Sequence, residues 1–207
     1  MNTLENRPVK DIITESLKHA ISYQDYRNLV KQLVVEESTT GDEKTEALAN
    51  YTMLNDRRMK RWDKTLKISE GIKEKVFNFS GNVTWLVITE SWCGDAAHVI
   101  PVLNKIAELS QNIDLKLVIR DENKDLMDQF LTNGGRAIAK VIMIDNATGN
   151  VLNTYGPRPT LATKLVNDYK EEHGALTPEF KEDLQVWYNA NKGQNVMSDV
   201  IEMLSGF

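Results

Sequence analysis

The sequence predicts an α/β fold, a three-layer sandwich in which helices flank a central mixed β-sheet. The first sign is a continuous apolar run, VTWLVITE, which begins at residue 83 and is typical of a strand covered on both faces. The second is the order that follows, because a helical segment, AAHVIPVLNKIAEL, leads to another strand-like run, IDLKLVIR. The third is a hairpin pattern near residue 149. A β-α-β unit followed by a helix, a hairpin and a helix gives both parallel and antiparallel strands.

The later elements each have a signal of their own. DLMDQFLTNGG predicts a short helix closed by glycines, and AKVIMID predicts a third strand. The turn at Thr148, Gly149 and Asn150 leads into a fourth strand, NVLNTYG, and PTLATKLVNDYKEEHG predicts the closing helix. We assign residues 72–175 to this sandwich domain.

Residues 1–71 predict a helical N-terminal extension. Ser22 and Asp25 resemble a capping box that opens its second helix. The third helix carries an apolar stripe at helical spacing, made of Leu48, Tyr51, Met59, Trp62 and Leu66. Asn55 lies on the same stripe, and we interpret it as a buried amide with ordinary partners in preference to a functional residue.

The same third helix carries a run of cations. They are Arg57, Arg58, Lys60, Arg61 and Lys64. Arg57 lies opposite the apolar stripe, so the pattern favours a solvated helix face over a binding patch.

Residues 176–207 predict a helical C-terminal tail that packs on the sandwich domain. Its first helix has a clear start, with Thr177 as N-cap and Pro178 in the first helical position.

Composition excludes several classes of protein. The chain has 207 residues, 41% of them hydrophobic, and a formal net charge of −5, which argues against nucleic-acid binding. The N-terminal residues have no secretory signal pattern, and no window is apolar enough to span a bilayer. A single cysteine excludes an internal disulfide, and we expect a cytoplasmic protein with no membrane partner. Three scattered histidines, His19, His98 and His173, give no metal site.

The single cysteine, Cys93, stands where the first strand gives way to a helix. Free N–H groups and the helix dipole favour a thiolate at such a position, which would make Cys93 a nucleophile at neutral pH. The alternative is structural, since free cysteines are often buried and inert.

The segment WCGDAAHVIP resembles the active-site segment of the thioredoxin superfamily, in which a strand leads into W-C-G-P-C and a proline-containing helix. The order of elements from residue 72 to about 172 is also similar to the thioredoxin order. RAIAKVIMID lies where the family has its cis-proline loop, and Gly156 resembles a glycine that flanks the active site. The sequence is most similar to a branch frequent in bacteria, with W-C-G-D-A as its motif and a helical extension containing a segment like YTMLNDRRMKRWDKT.

The resemblance implies roles for the motif residues. Trp92 would be the active-site tryptophan, Cys93 the attacking cysteine, and Gly94 its neighbour in the substrate site. Ala96 stands where the family has its resolving cysteine, so a dithiol cycle within this chain is excluded. Asp95 replaces the motif's proline. We expect its charge to make the thiol less acidic than in a dithiol relative, and we interpret it as a helix N-terminal charge in preference to a proton acceptor.

The resemblance also implies a substrate groove formed by Ile138, Ala139 and Gly156. A cis bond before alanine costs about 2.5–4 kcal/mol in a simple peptide, so we expect a trans bond between Ile138 and Ala139. This departure from the family's cis-proline argues against a substrate groove of the family's form.

Three arginines are predicted to lie in loops at the same end of the sheet. Arg120, Arg136 and Arg158 could lower the pKa of Cys93 or bind the carboxylates of a small thiol. Taken singly, each is better explained by an ion pair, with Asp121, Glu122 and Asp145 as nearby partners.

These observations predict a monothiol thiol-disulfide oxidoreductase. Cys93 would form a mixed disulfide with a disulfide-bonded or S-thiolated protein, and an external thiol would release it. No cofactor is expected beyond a low-molecular-weight thiol as co-substrate. The alternatives are a thioredoxin-fold binding module without redox activity and a sensor in which Cys93 responds to oxidation.

Overall fold

The structure is a computed structural model, and it describes residues 7–206 of the chain. Residues 1–6 of the predicted N-terminal extension and residue 207 of the predicted tail lie outside the described part.

Nine α-helices and four strands are present within residues 7–206. The helices are α1 (Val9–Lys18), α2 (Tyr23–Val35), α3 (Glu46–Thr65), α4 (Glu70–Phe77), α5 (Gly94–Ala107), α6 (Lys124–Gln129), α7 (Thr160–His173), α8 (Pro178–Asn191) and α9 (Gln194–Leu204). The strands are β1 (Val83–Thr89), β2 (Ile113–Ile119), β3 (Lys140–Asp145) and β4 (Val151–Tyr155), and a short 3-10 helix spans Arg120–Glu122.

The strands form one mixed sheet in the order β2-β1-β3-β4. β1 pairs parallel with β2, and α5 provides the crossover between them. β3 pairs antiparallel with both β1 and β4. Helices flank this sheet, so the predicted α/β sandwich with a mixed sheet is confirmed.

β1 is central in the sheet, and every one of its residues is buried. That burial explains its uninterrupted apolar sequence, because a strand with neighbours on both edges and helices on both faces has no solvent-facing side. The strand ends at Thr89, so residues 90–93 form the connection to α5.

The N-terminal helices share the core of the sheet. Tyr26 and Val30 of α2 and Met59 of α3 are buried in the same apolar cluster as β1. The extension is also fastened to strand β2, because Ile21 and Leu117 exchange two backbone hydrogen bonds of 2.9 Å. Helix α9 contributes Val196 and Val200 to this cluster, so the tail packs on it as well.

The buried face of α3 differs from the predicted stripe. Thr52 and Asn55 are fully buried together with Met59 and Trp62, whereas Tyr51 is 49% exposed. By hydrophobicity alone, Tyr51 is a better candidate for the buried face than the neighbouring Thr52. In the fold, however, the Thr52 hydroxyl has buried hydrogen-bond partners in Thr39 and Ser91.

Candidate functional site

Cys93 is the N-cap residue of α5, and its thiol lies between two backbone groups. The Ala96 N–H donates to Sγ at 3.5 Å, and the thiol donates to the Ile138 carbonyl oxygen at 3.3 Å. The Cys93 residue is 8% exposed. A helix start and the loop before β3 therefore enclose the sulfur.

Burial raises the pKa of the Cys93 thiol to about 12, and the negative charge of Asp95 acts in the same direction. The hydrogen bond from Ala96 and the positive charge of Arg158 lower the pKa, but they are smaller effects. The expectation of a thiolate-favouring helix start is therefore wrong for the resting molecule. The loss of solvation outweighs the helix N-terminus, and Cys93 is a neutral thiol at neutral pH.

Asp95 is held by two donors, one on each carboxylate oxygen. The Tyr188 hydroxyl donates to Oδ1 at 2.9 Å, and the Arg158 guanidinium lies 2.8 Å from Oδ2. Burial raises the pKa of Asp95, while Arg158 and Tyr188 oppose that rise. Cys93 is the N-cap of α5, and Asp95 lies in the first turn, as expected of a helix N-terminal charge. Its carboxylate also joins α5 to α8 and to the loop before α7.

The bond between Ile138 and Ala139 is cis, which corrects the trans expectation. That expectation used only the preference of an isolated peptide, whereas here both residues are buried beside the Cys93 thiol and Gly156. Gly156 has a φ of +100°, and a Cβ placed on it would lie 2.1 Å from the Ala139 carbonyl oxygen. Only glycine fits so close to that backbone.

Two of the three predicted arginines contact the motif. Arg158 pairs with Asp95, and Arg120 lies over the Trp92 ring with its guanidinium carbon 5.0 Å from the ring centroid. Arg120 also pairs with Asp121 at 2.8 Å. Arg136 instead makes a two-pronged pair with Asp128, with both hydrogen bonds at 2.6 Å. The trio is therefore three separate ion pairs.

The connection between β1 and Cys93 is held by residues of the N-terminal extension. The Ser91 hydroxyl lies 3.0 Å from the Thr39 hydroxyl and 2.8 Å from the Thr52 hydroxyl. The Thr40 hydroxyl accepts a hydrogen bond from the Ser91 N–H at 2.7 Å, and Asn55 donates to the Ser91 carbonyl oxygen at 2.8 Å. Asn55 is thus a buried amide with hydrogen-bond partners, as predicted. One of these partners is Ser91, in the connection between β1 and α5.

Glu90, immediately before Ser91, is fully buried. Its carboxylate accepts hydrogen bonds from the Thr40 hydroxyl and, at 2.9 Å, from the Asp121 N–H. Burial raises its pKa, and these donors oppose the rise. The loop that reaches Glu90 has the sequence TTGDE, and its Gly41, at a φ of +87°, allows the close approach.

His98 on α5 is buried among aromatic residues. Its Nδ1 accepts a hydrogen bond from the Trp62 Nε1–H, with 2.9 Å between the nitrogens. Its Nε2 lies 2.9 Å from Gln185 Oε1. It stacks on Tyr188 with ring centroids 4.4 Å apart. Burial lowers the pKa of His98 to about 3, so the ring is neutral at neutral pH and donates through Nε2.

Arg58 of α3 also reaches the site. Its guanidinium NH1 would lie 3.4 Å from a Cβ placed on Gly94, and it donates to Asn55 Oδ1 at 2.8 Å. The sequence pattern predicted a solvated face for both Arg57 and Arg58. Because consecutive helical residues point in different directions, Arg58 instead lies beside the motif while Arg57 is exposed. Its position four residues before the buried Trp62 was the available signal.

The described residues contain no group of three or more His, Cys, Asp or Glu side chains that could hold a metal ion. Among residues 7–206, no helix is long and apolar enough to cross a bilayer. A cavity of about 350 Å³ lies elsewhere, with Arg7, His19 and Asp125 in its lining, and none of the motif residues from Trp92 to Ala96 lines it.

Two solved structures are similar to this fold. A protein of unknown function from Pseudomonas aeruginosa is 18% identical with a TM-score of 0.59, and the match covers 74% of this chain and 85% of that one. An HIV epitope scaffold is also 18% identical, with a TM-score of 0.56 and coverage of 90% and 99%. Identity this low shows the fold alone.

Comparison with curated proteins gave no match. The family model described as Thioredoxin matches residues 41–170, which is more than half of the chain and includes both the end of the N-terminal extension and the motif around Cys93. On that match, supported by the mixed sheet and the similar solved structures, the chain belongs to the thioredoxin family.

Proposed function

We propose that this protein is a monothiol thiol-disulfide oxidoreductase whose nucleophile is Cys93. The observation that supports this most is the placement of the thiol at the start of α5, where it accepts the Ala96 N–H and faces the loop before β3. Trp92 and Gly94 flank it, and Ala96 leaves the chain without a resolving thiol.

The proposed reaction has two exchange steps. The Cys93 thiol loses its proton to solvent, and the thiolate attacks the outer sulfur of an S-thiolated protein. A new disulfide forms at Cys93, the old one breaks, and the protein thiolate leaves and takes up a proton. A small thiolate then attacks the outer sulfur of the mixed disulfide, a small disulfide leaves, and the Cys93 thiolate is regenerated. We assign the reaction to the cytoplasm, where small thiols are kept reduced.

Burial of the thiol defines how this reaction must proceed. Only the thiolate attacks a disulfide, and with a pKa of about 12 the thiolate is rare at neutral pH. Exchange should therefore be slow in the resting molecule. As long as the pH is below that pKa, the rate should increase about tenfold for each unit by which the pH rises.

The same observation favours a second candidate function. A buried neutral thiol that donates to a backbone carbonyl fits a thioredoxin-fold protein-binding module in which Cys93 is only a core residue. In that case the fold would bind partners and Cys93 would not turn over.

The two candidates differ in multiple-turnover reduction of an S-thiolated peptide supplied with excess small thiol. The proposal predicts a rate that exceeds the uncatalysed exchange and that disappears in Cys93→Ser. A wild-type rate equal to the uncatalysed rate between pH 7 and pH 9 would support the binding module and reject the oxidoreductase.

A further inference from the structure

Arg58 differs from Arg120, Arg136 and Arg158 because no carboxylate pairs with it. Arg158, Arg120 and Arg136 are each bound to an aspartate at 2.8 Å or less. Within the described part of the chain, Arg58 makes no ion pair and its one hydrogen bond goes to the neutral amide of Asn55. A cation that already has a carboxylate must give it up to bind a ligand, whereas Arg58 need not.

The charge of Arg58 is also poorly solvated. The residue is half-buried between α3 and the start of α5, and that burial lowers the pKa of its guanidinium. The positive charge of Arg61 acts in the same direction, whereas the negative charge of Asp95 is a smaller effect that opposes it. A partly buried cation without a direct ion-pair partner gains more from an anion in contact with it than a fully solvated one does.

The position of Arg58 relative to Cys93 is set by hydrogen bonds through Asn55. Its NH1 lies 3.4 Å from where a Gly94 Cβ would be, and Gly94 is the chain neighbour of Cys93. Asn55 holds the same guanidinium and also binds the Ser91 carbonyl oxygen, two residues before Cys93. One amide therefore orients both the cation and the chain that carries the thiol.

We propose that Arg58 is a specificity-determining residue that binds a carboxylate of the small thiol which releases Cys93. This inference rests on the proposed function, because it concerns its second step. Since Ala96 cannot supply a resolving thiol, an external thiol must be recruited, and a carboxylate close to its sulfur would let Arg58 hold it beside the mixed disulfide. The bond changes are those given above, and Arg58 neither gains nor loses a proton.

The test measures release of a mixed disulfide that has been formed on Cys93 with 2-hydroxyethyl disulfide at alkaline pH. Two thiols are compared at equal thiolate concentration: 3-mercaptopropionate, which carries a carboxylate, and 2-mercaptoethanol, which is neutral. Each rate is divided by the rate of the same thiol with a small uncharged disulfide, which removes intrinsic nucleophilicity. We expect about a fivefold preference for the carboxylate thiol, since a half-exposed ion pair contributes about 1 kcal/mol.

The variants identify the residue responsible. Arg58→Gln should abolish the preference, Arg58→Lys should retain part of it, and Arg57→Gln, the same charge change one residue earlier on the exposed face, should leave it intact. Because the readout is a ratio of two thiols, a general loss of reactivity in Arg58→Gln cancels. The part of the preference that Arg58→Lys retains distinguishes loss of the charge from loss of folding.

Two outcomes contradict the inference. They are a preference near one in the wild type and a preference unchanged in Arg58→Gln, where equal slowing of both thiols would indicate a structural role. Each leaves the oxidoreductase proposal standing, because the mixed disulfide has formed and been released. If no mixed disulfide forms on Cys93, both proposals are rejected together.

Discussion

At the scale of single residues, the acidity of Cys93 results from two opposed effects. The start of α5 provides a hydrogen bond from Ala96, as a strand-to-helix junction in the sequence predicts. The sequence did not show how deeply the sulfur is enclosed, because enclosure depends on Ile138, which lies 45 residues away. Burial is the larger effect, and its extent could not be obtained from the residues that neighbour Cys93 in the sequence.

Asp95 provides a direct test of this balance. Asp95→Asn keeps the shape of the side chain but removes the negative charge that helps to raise the pKa of Cys93. We expect the rate of iodoacetamide alkylation at pH 8 to increase by about tenfold. Asp114→Asn, at the opposite end of the parallel strands, is the matched control and should not change the rate. An unchanged or slower rate in Asp95→Asn would mean that the carboxylate does not act on the thiol.

His98 should make the protein acid-sensitive. Its pKa is about 3 in the fold, below its ordinary value of 6.5, so the unfolded chain binds this proton first as the pH falls. The stability that the neutral ring contributes is complete above pH 6.5 and is lost as the pH falls toward 3, by up to about 1.4 kcal/mol per pH unit.

Urea unfolding at pH 7, 6, 5 and 4 measures that loss. The wild type and His19→Gln, which alters a histidine with a largely exposed side chain, should show the same decrease in unfolding free energy. His98→Gln should show a smaller decrease, whatever its stability at pH 7. Equal decreases in wild type and His98→Gln would contradict the account of this ring.

At the scale of elements, the helices and strands could be predicted more fully than their contacts. The period of the apolar residues identified β1, α5 and the β3-β4 hairpin, and the caps at Ser22 and Thr177 are present as predicted. Contacts between distant elements have no such local signal. The loop TTGDE binds Glu90 and Ser91 through polar groups, and a polar loop looks the same in sequence whether it faces solvent or a buried partner.

Thr52→Val tests whether α3 positions the connection to Cys93. The valine keeps the volume but leaves the buried hydroxyls of Thr39 and Ser91 without their shared partner. We expect a loss of about 1–3 kcal/mol in unfolding free energy. Thr65→Val on the same helix removes an exposed hydroxyl that bonds only to Arg61, so it should cost much less. Equal effects of the two substitutions in urea unfolding would show that the buried hydroxyl cluster does not stabilise the fold.

At the scale of the whole molecule, the N-terminal extension is part of the site's support. The family match begins at residue 41, within the loop that binds Glu90 and Ser91. Tyr26 and Met59 are buried in the same apolar cluster as the sheet, and the buried Trp62 donates to His98 on α5. The boundary predicted at residue 71 therefore divides one continuous core, because the helices before it and the sheet after it are buried together.

A chain that begins at residue 72 tests that dependence. Without α1, α2 and α3, the buried faces of β2 and α5 would be exposed, and Ser91 would lose its four partners in the extension. We expect this fragment to lack cooperative urea unfolding and to lose the near-ultraviolet circular dichroism of packed aromatic residues, which the full chain should retain. A cooperative transition of the fragment with native-like circular dichroism would show that residues 72–207 fold independently.

In the proposed reaction, Cys93 exchanges with a disulfide despite its burial. Intact mass spectrometry after incubation with an S-thiolated peptide, in the absence of small thiol, tests this exchange. We expect one covalent adduct per chain, mapped to Cys93, which forms faster as the pH rises from 7 to 9 and is removed by added thiol. The absence of any adduct on folded wild-type protein across that range would contradict it.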